Sequence, residues 1–212
     1  MLIDTLKNLT QSQLDSVVAL YGGEKNVKKI LDEEAKRLAL RARQKKEDEA
    51  TLAAAQRDIT TWKTITVGVY KTPGQYRMAL IESGHRFRDK EDGDYLDRIP
   101  LAQAISEIDL VAPSIYLLGL YRGATYHEIC EAGVRMGFEL CLDEIGPALR
   151  LSYMDQPDSD MLRIAKKISQ DSDQYYVVSN FTGQTRLHCE RGSFIQYWDS
   201  KARFVFIRPR QA

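Results

Sequence analysis

Two pairs of histidine and cysteine are the residues of this chain whose types suggest catalysis or metal binding. His127 and Cys130 lie three positions apart on a predicted helix, a spacing that allows both side chains to share a face. A thiolate nucleophile needs a histidine within hydrogen-bond reach, but Cys130 adjoins the apolar stripe of that helix, where a free cysteine usually packs as a small apolar residue. His188 and Cys189 are neighbours in a predicted strand and point to opposite faces. We therefore predict no catalytic residue at either pair.

An acidic tract and three cysteines are further candidates for metal binding or catalysis. Asp155, Asp158 and Asp160 are of the type that binds a hard cation, but their spacing lacks the glycine and the terminal glutamate of an EF-hand, which favours a solvated turn. Three cysteines without a CxxC pair predict neither a disulfide framework nor a four-thiolate zinc site. The motifs GxGxxG, HExxH and GxSxG and the phosphate-binding P-loop are missing as well. We predict no metal and no cofactor, and we expect that the protein is not an enzyme.

The most distinctive residues lie near the C-terminus. Phe194, Tyr197 and Trp198 fall between two predicted strands, among short polar residues. Aromatic side chains provide a large contact area with few rotatable bonds, and binding surfaces use them for that reason. We predict that Tyr197 and Trp198 anchor a protein or small ligand, and that four polar residues orient it: Arg191, Gln196, Asp199 and Lys201. The alternative is that the aromatic residues belong to the core.

Composition limits the partners of the chain. The 212 residues are 43% hydrophobic, enough for the core of one or two domains. Thirty lysines and arginines balance thirty aspartates and glutamates, so global charge attracts neither nucleic acid nor an anionic bilayer. Asp4 and Lys7 interrupt the region where a signal peptide needs an apolar run, and no run approaches the roughly 20 apolar residues that span a membrane. We expect a reduced, cytoplasmic protein without membrane segments.

Residues 1–60 predict a pair of helices. Thr10 and Gln13 have the form of a capping box, and Gly22-Gly23 ends the first helix. The second helix carries an apolar stripe from Val27 to Ala42, which predicts either a hairpin with a solvated outer end or a weak homodimer through this stripe. The basic cluster at 36–46 could contact phosphates, but acidic residues bracket it and favour a helix covered by salt bridges.

Residues 61–212 predict an α+β domain. Two strand–helix units occupy 64–84 and 108–137, and their helices begin at the capping residues Thr72 and Thr125. A polar loop is predicted between 85 and 99. From 162 onwards the alternating pattern predicts a C-terminal antiparallel β meander, in which residues 204–207 are apolar on both faces and form a central strand.

Several segments of this domain resemble a family of uncharacterised bacterial proteins, many of them from candidate-phylum genomes. The segments are GATYHEIC, MGFELCLDEIGPALRLSYMDQP and FIQYWDSKARFVFIRPR, and the similarity covers roughly residues 64–210. In some relatives the region aligned with 187–202 is similar to the variable end of proteins diversified by retroelements, which implies ligand binding there. This chain has Glu190, Arg191, Gln196 and Lys201 in that region rather than an asparagine-rich pattern. The resemblance implies no catalytic residue.

The sequence thus predicts a non-enzymatic binding or interaction protein that presents an aromatic and polar C-terminal β surface. An enzyme of unrecognised type is the alternative, and it would use a cleft between the two strand–helix units together with the loop at 85–97. Nucleic-acid binding through the basic part of the N-terminal helix is the third interpretation.

Overall fold

The computed structural model describes residues 10–57, 59–87, 90–168, 173–192 and 196–210. Contacts between backbone positions divide the chain into two compact units, Met1–Ala54 and Ala55–Ala212. The sequence analysis places the boundary after residue 60.

The predicted N-terminal helical pair is confirmed. Helix α1 is Gln11–Leu20 and helix α2 is Glu24–Arg57. The capping box is present, because the Gln13 side chain accepts a hydrogen bond from the Thr10 backbone N–H at 2.9 Å. Helix α2 carries exposed ion pairs such as Arg43 with Glu47, four residues apart, which is the salt-bridge pattern that the acidic residues around the basic cluster predicted.

The second unit is an α+β fold, as predicted. Its strands are β1 Lys63–Val67, β2 Arg86–Phe87, β3 Ser106–Val111, β4 Ala124–Thr125, β5 Met161–Ile164, β6 Gln174–Phe181, β7 Gln184–Arg191, β8 Tyr197–Trp198 and β9 Arg203–Arg208. They form a seven-stranded sheet in the order β1-β3-β9-β5-β6-β7-β2 and a separate two-stranded sheet of β4 and β8. The helices are α3 Pro73–Glu82, α4 Lys90–Leu96, α5 Tyr126–Arg135 and α6 Ile145–Ser152. Strands β5, β6 and β7 form the antiparallel meander.

Strand β9 is the central strand that the apolar residues at 204–207 predicted. It pairs in antiparallel fashion with β3 and in parallel fashion with β5. Val205 and Ile207 face the first core, which contains residues of α3, α4 and α6, whereas Phe204 and Phe206 face the second core, which contains residues of α5. Successive side chains of a strand point to opposite faces, so this one strand contributes to both cores.

This arrangement contradicts the predicted cleft between the two strand–helix units. Tyr76 and Leu80 of α3 pack in the first core, and Ile129 of α5 packs in the second. Because the two cores lie on opposite faces of the sheet, the described residues of the two strand–helix units form no common cleft. The predicted loop at 85–97 is also different, since it contains β2 and α4.

A buried carboxylate joins the first core to the segments around it. Glu144 is 0% exposed, and its oxygens accept hydrogen bonds from the Tyr76 hydroxyl at 2.6 Å, the Gly68 N–H at 2.7 Å and the Ala102 N–H at 2.6 Å. Gly68 has a φ of +75°, and a Cβ atom there would lie 2.2 Å from the Ala104 carbonyl oxygen. These contacts fix the turn after β1 against the segment before β3.

A second carboxylate lies on the meander. Glu190 of β7 accepts a hydrogen bond from the Tyr175 hydroxyl at 2.7 Å, and Arg163 Nε lies 3.4 Å from the same carboxylate oxygen. Burial acts to raise the pKa of Glu190, but the proximity of His188, whose Nε2 lies 3.9 Å away, the hydrogen bond from Tyr175 and the charge of Arg163 outweigh it and lower the pKa from 4.5 to about 2. The ionised carboxylate is therefore stabilised in the folded protein.

The close packing of α5 on β9 predicts the effect of Gly133→Ala. A Cβ atom at Gly133 would lie 2.3 Å from the Phe206 ring. Overpacking costs up to about 3 kcal/mol, more than the ~1 kcal/mol that alanine gains over glycine in a helix, so we expect urea unfolding to show a net loss of about 1–2 kcal/mol. Gly74→Ala is the control, because its Cβ would meet no atom nearer than 3.8 Å. Equal stability of both variants would contradict this packing.

The lowered pKa of Glu190 predicts how stability depends on pH. A carboxylate whose pKa is lower in the folded state stabilises that state above its unfolded pKa, and the contribution is lost as pH falls towards the folded value. We expect Glu190→Gln to reduce stability at neutral pH and to lessen the decline between pH 4.5 and about 2. Urea unfolding across this range, with exposed Glu82→Gln as the control, measures the effect. Parallel profiles for wild type and Glu190→Gln would refute it.

Candidate functional site

The structure separates the two aromatic residues that were predicted as contact anchors. Tyr197 and Trp198 form β8 and pair with Thr125 and Ala124 of β4. Tyr197 is 62% exposed, whereas Trp198 is only 6% exposed and belongs to the second core. Because neighbouring strand residues point to opposite faces, only one of the two can reach solvent. Trp198 is thus a core residue, as the alternative interpretation held, and it does not provide an exposed anchor.

The burial of Trp198 is well defined by its neighbours. Its ring lies 6.0 Å from the Phe204 ring at a right angle and 6.2 Å from the Tyr126 ring, both measured between centroids. Gly123 approaches the strand closely, with a φ of +87° and a position at which a Cβ atom would lie 2.2 Å from the Trp198 carbonyl oxygen. Packing of the indole therefore holds β8 against the second core.

The polar residues predicted beside the anchors lie on different parts of the fold. Gln196, Asp199 and Lys201 are exposed next to β8, and Asp199 accepts a hydrogen bond from the Lys201 N–H at 2.8 Å. Arg191 is exposed at the end of β7, in the seven-stranded sheet, where its guanidinium lies 3.4 Å from the Asp173 carboxylate. Phe194 lies outside the described residues.

Two tyrosines that the sequence analysis did not select lie beside this segment. Tyr116 and Tyr121 are 49% and 44% exposed, and their ring centroids are 5.2 Å apart. Tyr116 begins a short 3₁₀ helix, and its N–H donates to the Ser200 carbonyl at 2.8 Å. The sequence placed both of them inside the predicted strand–helix unit at 108–137, and contact residues were expected only near the C-terminus. The signal available was the presence of two tyrosines on either side of Gly119.

We use the name tyrosine surface for six residues of these two segments, of which Ser200 is half-buried and the other five are exposed. It consists of Tyr116, Tyr121, Tyr197, Asp199, Ser200 and Lys201. A depression of about 510 Å³ opens at Tyr116, within the range of small-ligand pockets. Its lining residues are Ala112, Ser114, Tyr116, Leu117, Ser200, Lys201 and Arg203. Arg203 is fixed by the Ala112 carbonyl at 3.2 Å and the Asp160 carboxylate at 3.2 Å, so it forms a rigid part of the lining.

His127 and Cys130 line one depression along α5, but the cysteine thiols are buried and poorly placed to react. Cys130, Cys141 and Cys189 are free thiols and all are buried; burial raises the pKa of Cys130 to about 12. His127 is on the surface, where its Nε2 lies 3.1 Å from Glu131 Oε1. In the described parts of the chain, no three residues among His, Cys, Asp and Glu are placed to hold a metal ion. No helix among these residues is both long and apolar enough to cross a membrane.

The different environments of Tyr197 and Trp198 predict opposite mutational effects. Trp198→Ala removes a buried aromatic ring, which typically costs about 3–5 kcal/mol. Tyr197→Ala removes an exposed ring and should change the free energy of unfolding by no more than about 0.5 kcal/mol. Urea unfolding of the two variants measures both values. A stable Trp198→Ala variant would contradict the placement of the indole in the core.

Comparisons with known proteins supply no further functional assignment. No protein-family model, curated protein or solved structure matches the chain.

Proposed function

We propose that this chain is a non-enzymatic binding protein that presents the tyrosine surface to a protein partner. The observation that carries the proposal is the exposure of Tyr116, Tyr121 and Tyr197, which are each more than 40% exposed although tyrosine is large and partly apolar. Tyrosine is enriched in protein interfaces because its ring packs while its hydroxyl forms a hydrogen bond.

The backbone beneath these tyrosines is held in place. The Ile115 N–H donates to the Ala202 carbonyl at 2.9 Å, and the Tyr116 N–H donates to the Ser200 carbonyl at 2.8 Å. Trp198, which lies between Tyr197 and Ser200 in the sequence, packs in the second core and holds this segment in place. A surface that is already ordered loses less conformational entropy when it binds. Because the buried Trp198 holds β8 in place, Tyr197 lies on an ordered strand and can contact a partner, although Trp198 itself cannot.

Polar groups at the same surface support orientation of a partner. Asp199 and Lys201 present opposite charges two residues apart, and such charges at the rim of an interface contribute more to specificity and association rate than to affinity. The depression at Tyr116 has room for side chains of the partner.

Binding rather than catalysis is proposed because of the residue types present. The tyrosine surface contains neither histidine nor cysteine, and its carboxylate, Asp199, is exposed and hydrogen-bonded to the adjacent backbone. A general base with a pKa tuned by its surroundings usually lies in a more protected position.

Two further proposals concern assembly and location. Weak self-association through the stripe from Val27 to Ala42 is supported by the exposure of Ile30 and Leu38, at 36% and 43%. A cytoplasmic location is supported by the three free thiols, since reducing compartments preserve them.

Selection of peptides from a displayed library against the purified protein tests the binding surface. We expect selected peptides to lose about tenfold or more in affinity on Tyr197→Ala or Tyr116→Ala, the effect of removing an anchor worth more than 1 kcal/mol. Met78→Ala is the control, because Met78 is a large exposed residue of α3 at 56% exposure. Thermal unfolding of each variant separates loss of binding from loss of folding.

The result that would refute the proposal is equally specific. Peptides that bind the wild-type protein and retain full affinity for Tyr116→Ala, Tyr121→Ala and Tyr197→Ala would place the preferred contact surface elsewhere on the chain.

A further inference from the structure

A second depression lies along helix α5 and shares no lining residue with the tyrosine surface. It has a volume of about 460 Å³, within the range of small-molecule sites. The groove is formed by one side of α5 and by the segment that follows β5. We call it the α5 groove; its lining residues are Tyr126, His127, Cys130, Glu131, Val134, Arg135, Leu140, Lys166, Lys167 and Ile168.

The walls of the α5 groove are largely apolar. Val134 is 50% exposed at the middle of this lining, and Leu140 and Ile168 are half-buried partners of the second core. Cys130 contributes a thiol that is only 8% exposed. An apolar ligand group placed here would remove the Val134 side chain from water and gain free energy in proportion to the apolar area covered.

The charges of the groove are unbalanced in favour of positive ones. Lys166, Lys167 and Arg135 line it, whereas Glu131 is its single acidic lining residue. The Glu131 carboxylate lies 3.1 Å from His127 Nε2 and 3.7 Å from Arg135 NH1, so it is shared between two basic groups. Because Lys166 pairs with Asp143, which lies outside the lining, the excess positive charge of the groove lies on Lys167.

The two lysines differ in their ion pairs. Lys166 is 5% exposed, and its ammonium forms an ion pair with Asp143 and donates to the Tyr95 hydroxyl at 2.7 Å. Lys167 is exposed, and no carboxylate among the described residues lies within ion-pair distance of its ammonium. Lys167 and Arg135 are thus the cations at the edge of the groove that can meet a ligand from solvent.

We propose that the α5 groove binds a small amphipathic anion, a molecule with an apolar chain or ring and a carboxylate or similar acidic group. The apolar part contacts Val134, Leu140 and Ile168, and the acidic group lies at the edge near Lys167 and Arg135. The basic residues attract an anion but not a neutral molecule of the same shape. They repel a cation, because like charges at close range are repulsive.

Titration of the full chain with decanoate, followed by amide chemical shifts, tests this proposal. We expect saturable shifts centred on Val134, Lys167 and their neighbours. Decanol, which has the same chain without the charge, should bind about fivefold more weakly, the effect of losing one exposed charge interaction, and decylammonium more weakly still. Equal binding of decanoate and decylammonium would overturn the choice of an anion.

Variants of exposed residues locate the site. Val134→Asp places a charge among the apolar contacts and should weaken decanoate binding by about tenfold or more; Lys167→Glu should weaken it by at least about fivefold. Lys90→Glu makes the same charge change on α4 and should leave binding unaltered, as should Tyr197→Ala. The last control separates this site from the tyrosine surface. Melting temperatures confirm that the variants are folded.

Two outcomes would overturn the proposal. The first is the absence of saturable shifts at decanoate concentrations up to about 1 mM, the weak end of specific binding. The second is unaltered decanoate binding by folded Val134→Asp and Lys167→Glu.

Discussion

Burial of strand β9 on both faces is the constraint on which the second unit depends. Its residues Phe204, Val205 and Phe206 are each 0% exposed, so apolar layers must cover both sides of the strand. Helices α3 and α6 cover one side and α5 covers the other. Neighbouring strands β3 and β5 satisfy its backbone hydrogen-bonding groups, which would be costly to bury unpaired. The layering also places Leu140 and Ile168, two apolar residues of the α5 groove, against the second core.

Buried polar side chains determine how the loops attach to these layers. Glu144 holds the turn after β1, and Arg150 of α6 has a comparable role at the opposite end of its helix. Arg150 is 0% exposed, and its guanidinium donates to the Tyr153 carbonyl and to the Gln156 side chain. Burial lowers the pKa of Arg150 to about 10, yet the group stays charged at neutral pH. Removing either partner of such a buried contact leaves an uncompensated polar group, which is strongly unfavourable.

The sequence predicted the elements that depend on local signals. The caps at Thr10, Thr72 and Thr125 correspond to observed helix starts, because a cap involves side chains within three residues of each other. The position of β9 was predictable from its uninterrupted apolar residues. Pairing partners and the choice of sheet face depend on distant residues, and for that reason the cleft between the strand–helix units was predicted wrongly.

The candidate site was predictable only in part for the same reason. Alternation along β8 shows that Tyr197 and Trp198 point in opposite directions, but not which of them faces the core. That choice depends on Phe204 and Tyr126, which the fold brings together. Tyr116 joins the tyrosine surface through the hydrogen bond from its N–H to the carbonyl of Ser200, 84 positions further along the chain. The Glu144 carboxylate and the Gly68 N–H meet for equally non-local reasons.

The distribution of the three sulfur atoms has a practical consequence. Cys141 and Cys189 lie in the first core, and Cys130 lies in the second. A thiol-specific reagent reaches a buried cysteine only when the structure around it opens, so its labelling rate measures the free energy of that opening. The protein therefore carries intrinsic reporters on both sides of its sheet, which distinguish fluctuations of one layer from cooperative unfolding of the whole unit.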